Sequence, residues 1–248
     1  MRALSLDTTT RQGSAALVED NRIVEVRSGD PSRSHAERLP GDLLALVDAH
    51  GLTLGDIDLF AVAAGPGSFT GLRIGIATIQ GLAFTCGRRV VAVSALEALA
   101  QSAAVEGRAE PGTGNREPGT VLVPWIDAHR REVFGEAFRV AAGPPFEAEY
   151  LDRIDAIRVG PPATLLEDLR GAISGGALIF AGDGATLYAA EISRAFPSAH
   201  IAEASPIAGA IGLMAIAAAR RGRTIDPAAI QPLYVRRPDA VIAREAAR

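Results

Sequence analysis

The chain has 248 residues, 48% hydrophobic and 22% charged, which suits one large or two small domains with a real core and excludes a disordered polymer. A net charge of −4 argues against a broadly electropositive nucleic-acid surface, and no apolar run reaches the roughly 18–20 residues a membrane-spanning helix needs. All 25 basic residues are Arg, so a Schiff-base lysine, a lysine general base and the lysine of a Walker-type phosphate loop are excluded. Asp7 stands too early for the apolar stretch of a secretory leader, and the single Cys86 excludes an internal disulfide. The expected compartment is the cytoplasm, with no membrane partner.

Strands are expected over 2–8, 13–18 and 22–27, separated by hairpin punctuation. A helix follows over 35–50, opened by a capping box of Ser34 and Glu37 and interrupted early by Pro40-Gly41. Residues 57–63 read as a buried strand, 68–85 as a long helix and 90–93 as another strand, and Ser94 with Glu97 opens a third helix through a second capping box. The stretch 104–119 is rich in Gly, Pro, Glu and Arg and reads as a linker between an N-terminal lobe, 1–103, and a C-terminal lobe, 120–248. Beyond it the opening recurs. Strands are expected over 121–126, ending at Asp127, over 132–140 and over 178–181, with helices over 164–172, over 185–196 and from Ser205-Pro206 onward. The two halves read as diverged copies of one unit, three strands followed by alternating helices and strands.

The Gly-rich segment 64–73 joins a buried strand to a helix, where backbone N–H groups and the helix dipole suit a phosphate. Neither common phosphate-loop template fits, and a tight turn capped by Ser68 or Thr70 accounts for the same residues. Helix 68–85 is apolar all round and must be covered on every side, either by its own chain or by a second protein. Gly71 and Gly75 offer backbone for close approach, and the helix before it carries a stripe of Ala36, Leu39, Leu43, Leu46 and Val47, which Leu44 widens. Of the four histidines, no two stand four apart on a helix, and His35 reads as a first-turn helix residue. Asp7 and Asp127, at equivalent hairpin tips, are the best paired carboxylates: they either face each other across a nucleotide cleft or make turns. Gly182-Asp183-Gly184 either lets an adenosine approach or turns the chain.

In order, LSLDTT (4–9), SHAERL (34–39), AGPGSFTGLRIGIAT (64–78), VVAVSALEALA (90–100), IDAHRREVF (126–134), AGDGA (181–185) and PLYVR (232–236) cover most of the chain and resemble the TsaB (YeaZ) family of tRNA threonylcarbamoyladenosine biosynthesis. The resemblance implies an α/β, actin/Hsp70/sugar-kinase-like fold of two lobes, each with a mixed five-stranded sheet and helices. It implies a non-catalytic dimerisation subunit that supports a TsaD-like catalytic paralogue together with a TsaE-like ATPase, meets tRNA through the complex, and homodimerises when the paralogue is missing. The first two helices make the contact in that family. The expected contact residues are therefore Ala36, Leu39, Leu43, Leu46, Val47, Gly71, Leu72, Gly75, Ile76, Ile79, Leu82 and Ala83. Asp7, Thr8, Thr9, Asp127, Gly182, Asp183 and Gly184 would form a vestigial nucleotide site. No metal and no firmly held cofactor is expected, with ATP or ADP at the complex interface. The competing readings are an independent small-molecule kinase of the same fold and a metallopeptidase.

Overall fold

The computed structural model describes residues 1–105, 117–173 and 175–235. Residues 106–116 of the expected 104–119 linker lie outside them. The chain runs β1 (Arg2–Asp7), β2 (Ser14–Glu19), β3 (Arg22–Ser28), α1 (His35–Asp48), β4 (Leu59–Gly65), α2 (Phe69–Thr85), β5 (Arg89–Ser94) and α3 (Ala95–Val105). The second half runs β6 (Val121–Asp127), β7 (Val133–Val140), β8 (Leu151–Gly160), α4 (Pro162–Ala172), β9 (Leu178–Ala181), α5 (Asp183–Leu187), α6 (Ala189–Ala195), β10 (His200–Ile201) and α7 (Ala208–Arg220).

Two five-stranded sheets form, in the orders β3-β2-β1-β4-β5 and β10-β9-β6-β7-β8. Read from its other edge, the second sheet repeats the first: two antiparallel hairpin partners on one side of the founding strand, two parallel strands on the other. The duplication legible in the halves is therefore structural, and the fold is the two-lobed actin/Hsp70/sugar-kinase-like one.

The period-two alternation of the strands decides which layer each residue joins. Leu4 and Leu6 of β1, with Leu17, Phe60 and Val62, face α1 and α2. Ala3, on the opposite face, joins Val18, Ala61 and Val91 in a central core shared with α3, α7 and the inner face of the second sheet. Val121, Val123 and Trp125 of β6 pack outward under α4 and α6.

The expected C-terminal boundary is corrected by α7. This helix packs on all five strands of the first sheet, and Ser5 Oγ donates to the Ala208 carbonyl at 2.6 Å. Beyond it, Val90 bridges Ile225, Ile230 enters the core beneath α2, and Leu233 N–H donates to the Ala64 carbonyl at 2.7 Å. Residues from 208 onward thus complete the first lobe, because its inner sheet face needs an apolar cover that its own segment lacks.

Local differences have local causes. Helix α1 runs unbroken through Pro40 and Gly41, both exposed, where water can take the carbonyl that Pro40 cannot satisfy. Ser34 N–H donates to the Glu37 carboxylate at 2.8 Å, as the capping box requires. At Ser94 only half a box forms: Glu97 N–H meets Ser94 Oγ at 3.4 Å, while the Glu97 carboxyl turns inward, raised by burial against the opposing pull of Arg153. The helix expected over 185–196 breaks at Tyr188, and the last helix begins at Ala208, three residues late. Strand β8 is an edge strand whose Asp and Arg residues hide the alternation.

Glu97 has a neighbour that sets a pH dependence. Glu136 of β7 is fully buried, ion-paired among the described residues only to the half-exposed Arg153, and burial pushes its carboxyl up to about 7. A raised carboxyl pKa stabilises the fold in full below its unfolded value, and that contribution is lost as pH rises through 7. Wild-type stability should therefore fall between pH 5 and 8, and Glu136→Gln should flatten that fall by about 2 kcal/mol in urea unfolding at the two pH values. An unchanged slope would show that Glu136 is solvated.

Candidate functional site

A cleft of about 260 Å³ opens between the lobes where β1, the β9–α5 turn and the approach to α7 meet. Asp7 and Asp183 line it, with Thr10 and Gln12 on one wall and Leu99 and Pro206 on the other. Asp7 Oδ1 accepts from Thr9 N–H at 2.8 Å and Thr9 Oγ1–H at 2.7 Å. Asp183 Oδ1 accepts from the N–H groups of Asp127 (3.0 Å) and Gly184 (2.8 Å). Burial raises both carboxyls; Asp183 adds to the rise at Asp7, and Asp127 to that at Asp183. The volume falls just short of the roughly 300 Å³ at which small-molecule sites begin.

The carboxylate facing Asp7 is therefore Asp183 rather than Asp127. Asp127 shares the parity of Val123 and Trp125, which point to the outer layer, and its carboxylate accepts from His129 N–H at 2.9 Å inside its own turn. Of the other expected nucleotide-site residues, Thr9 and Gly182 reach the cleft and Thr8 does not. Glycines 182 and 184 serve the turn: a Cβ on Gly182 would stand 2.3 Å from the Trp125 carbonyl oxygen, and one on Gly184 about 3.0 Å from Ile126 C.

The Gly-rich segment before α2 is likewise a packing device. Ser68 N–H donates to the Thr9 carbonyl at 2.8 Å, and Ser68 Oγ caps the helix by accepting from Gly71 N–H at 3.3 Å. A Cβ on Gly71 would stand 2.2 Å from the Thr8 carbonyl oxygen, and one on Gly75 2.2 Å from Thr8 Oγ1. The glycines thus let α2 press onto the β1–β2 turn; the close partner of their backbone is this chain.

Two functional positions were not foreseen. His35 Nε2 lies 3.0 Å from the Thr10 carbonyl, and Arg38 Nη2 donates both to His35 Nδ1 at 2.9 Å and to the Gln12 carbonyl. Because Arg38 can only donate, Nδ1 accepts and Nε2 carries the proton. Burial, and the nearby Arg38 cation, hold His35 below the usual histidine range, so the ring stays neutral despite the opposing bond to Thr10. His35 and Arg38, three apart on one helical face, thereby fasten the cleft wall to α1. That i, i+3 spacing was the signal available in the sequence.

The expected contact residues need correction. Leu39, Leu43, Leu46 and Val47 of α1 and Gly71, Leu72, Gly75, Ile76, Ile79 and Ala83 of α2 are buried within the lobe, most of them in the core between the two helices and the sheet. Leu82 is half-buried, and only Ala36 is exposed. The open faces are the opposite ones. Helix α1 shows Ala36, Pro40 and Leu44 (50% exposed), and α2 shows Ala77, Gly81 and Phe84 (82% exposed). At the start of α2 the Arg73 guanidinium lies 3.9 Å from the Phe69 ring centroid and donates to Tyr234 Oη at 3.0 Å.

Among the described residues no three His, Cys, Asp or Glu converge in a way that would hold a metal, and no helix is long and apolar enough to cross a membrane.

A protein-family model described as TsaD, tRNA N6-adenosine threonylcarbamoyltransferase, matches residues 29–243. An uncharacterised protein of Mycobacterium tuberculosis is 34% identical over 242 residues, covering 96% of this chain and 92% of its own length. The tRNA threonylcarbamoyladenosine biosynthesis protein TsaB of Escherichia coli is 34% identical over 134 residues, 54% of this chain and 53% of that one. The solved structure of YeaZ from Pseudomonas aeruginosa superposes with a TM-score of 0.71 at 29% identity, covering 94% of this chain and 99% of that one.

Proposed function

Since the chain belongs to the TsaB/YeaZ family, whose place is in tRNA threonylcarbamoyladenosine biosynthesis, we propose that it is the non-catalytic dimerisation subunit of a tRNA N6-threonylcarbamoyladenosine transferase complex. It docks a TsaD-like catalytic paralogue through the outer faces of α1 and α2, and a TsaE-like ATPase joins the assembly. The single observation that carries this reading is the pair of exposed apolar side chains, Leu44 and Phe84, on these two packed helices. An exposed phenylalanine gains about 1.5–3 kcal/mol when a partner buries it. Ala77 and Gly81, one turn apart on the same open face, present little more than backbone, and a Cβ on Gly81 would meet nothing within 4 Å. Helices meet closely at such small residues.

A paralogous occupant is supported by the family model of the transferase, which matches this chain from the β3–α1 connection to beyond α7. A paralogue with the same lobe presents an equivalent pair of helices, so the two can meet face to face, and a second copy of this chain fills the same place when the paralogue is missing. The transferase chemistry belongs to the partner, and tRNA is met by the complex. ATP or ADP is held at the assembled interface, in keeping with a cleft that is small for a nucleotide on its own.

Co-expression with a tagged transferase paralogue tests this. The double variant Leu44→Asp/Phe84→Asp should lose co-purification, with affinity down about 100-fold, while its melting temperature stays within about 2 °C of wild type. Full retention of the complex would overturn the reading.

A further inference from the structure

Three consecutive residues at the tip of the β6–β7 hairpin, His129, Arg130 and Arg131, have left-handed backbone conformations, with φ of 57°, 55° and 62°. None is glycine, although glycine adopts this conformation without the steric cost that a Cβ brings. The turn is closed by Ala128 N–H donating to the Glu132 carbonyl at 3.0 Å and Glu132 N–H donating to the His129 carbonyl at 2.9 Å. Both of those bonds join backbone atoms.

Two acids flank the tip, Asp127 and the half-buried Glu132. The Asp127 carboxylate is drawn inward, accepting from His129 N–H and standing 3.2 Å from His129 Nδ1, with its side chain only 25% exposed. The three basic side chains point out: His129 is 78% exposed, and Arg130 and Arg131 are exposed as well. Arg131 forms no ion pair among the described residues and lies within electrostatic reach of the Tyr188 phenol. Tyr188 is half-buried beside Leu187, which is 59% exposed. Cations with an aromatic and an apolar side chain beside them suit a nucleic-acid backbone with unstacked bases.

We propose that this strained tip, His129-Arg130-Arg131 with the Leu187–Tyr188 corner, is a contact for the phosphodiester backbone of tRNA. The proposal rests on the role in tRNA modification argued above and deepens it by placing the RNA at the second lobe, on elements other than α1 and α2. A net charge of −4 argues against a broad basic surface, so a local contact of this kind would help orient the RNA within the complex and bind it only weakly when alone.

The test is fluorescence anisotropy of labelled tRNA against the chain alone and against its complex with the transferase paralogue, from 50 to 200 mM salt. Arg130→Gly/Arg131→Gly keeps the left-handed turn and removes two cations. The slope of log affinity against log salt should fall by about 1.4–1.8, and affinity at the low-salt end by about tenfold. The same variant should melt a few degrees higher, because glycine relieves the turn. Arg130→Lys/Arg131→Lys should restore most of the slope. An unchanged affinity and slope in the glycine variant overturns the proposal, as does a wild-type protein that binds no tRNA in either form. Arginine-dependent binding by a chain that never joins the transferase would support the tip and sink the assembly reading alone.

Discussion

Ile76→Asp is expected to unfold the chain rather than release a partner. Ile76 lies in the core between α1, α2 and the first sheet, with Leu39, Leu43, Phe60 and Ile79. An aspartate there leaves a cavity and an unpaired carboxylate, at a combined cost of about 4 kcal/mol or more, against a total stability of about 5–15 kcal/mol for a typical protein. Urea unfolding of any soluble fraction, with circular dichroism, reads the result. A folded Ile76→Asp protein with a wild-type midpoint would mean that position 76 faces outward. The contrast with Phe84, one of the most exposed large side chains of the described residues, separates the core face of α2 from its open face.

Gly71→Ala and Gly81→Ala should move stability in opposite directions although both sit inside the same helix. Alanine is favoured over glycine in a helix interior by about 1 kcal/mol. At position 81 nothing opposes that gain, since a Cβ there meets open space, and the variant should be more stable by about 0.5–1 kcal/mol. At position 71 the Cβ would stand 2.2 Å from the Thr8 carbonyl oxygen, which is backbone and cannot swing aside. Helix α2 must then lift from the β1–β2 turn, straining the bond from Ser68 N–H to the Thr9 carbonyl. Overpacking of this kind costs about 1–3 kcal/mol and outweighs the helix gain, for a net loss of up to about 2 kcal/mol. Thermal melts of the two variants side by side decide it: equal shifts of the same sign would show that the Thr8 contact is loose.

The β1–β2 turn also ties α1 and α2 to the cleft. Thr8 lies under α2, Thr9 bonds both Asp7 and Ser68, and Thr10 and Gln12 are held by His35 and Arg38 of α1. The two helices, open on their outer faces, therefore anchor the cleft wall with their inner ones. The cost of three left-handed non-glycine residues at the other hairpin tip, about 1–2 kcal/mol each, is borne by the second lobe alone.

Most strands and helices were legible because their signals are local: alternation in LSLD, the Ser34–Glu37 capping box, the apolar run before Gly65. Strand β8 was not, since an edge strand that water wets on one side keeps Asp and Arg along its length. The families of residues at the site were legible too, but their partners were not. Asp7 was found, yet the choice of Asp183 over Asp127 depends on which sheet face each strand end presents, and on a β9–α5 turn 56 residues downstream of Asp127.

By itself the sequence determined the doubled α/β architecture, the lack of any lysine chemistry and the family. Only the tertiary structure decided which side of α1 and α2 is free. An apolar helix looks the same from every direction in one dimension, and the burial of Leu43 and Ile76 against the exposure of Leu44 and Phe84 follows from where the sheet lies beneath them. It also decided that α7 returns to the first lobe, because covering a sheet face is a demand of the assembled layers that no local stretch of chain records.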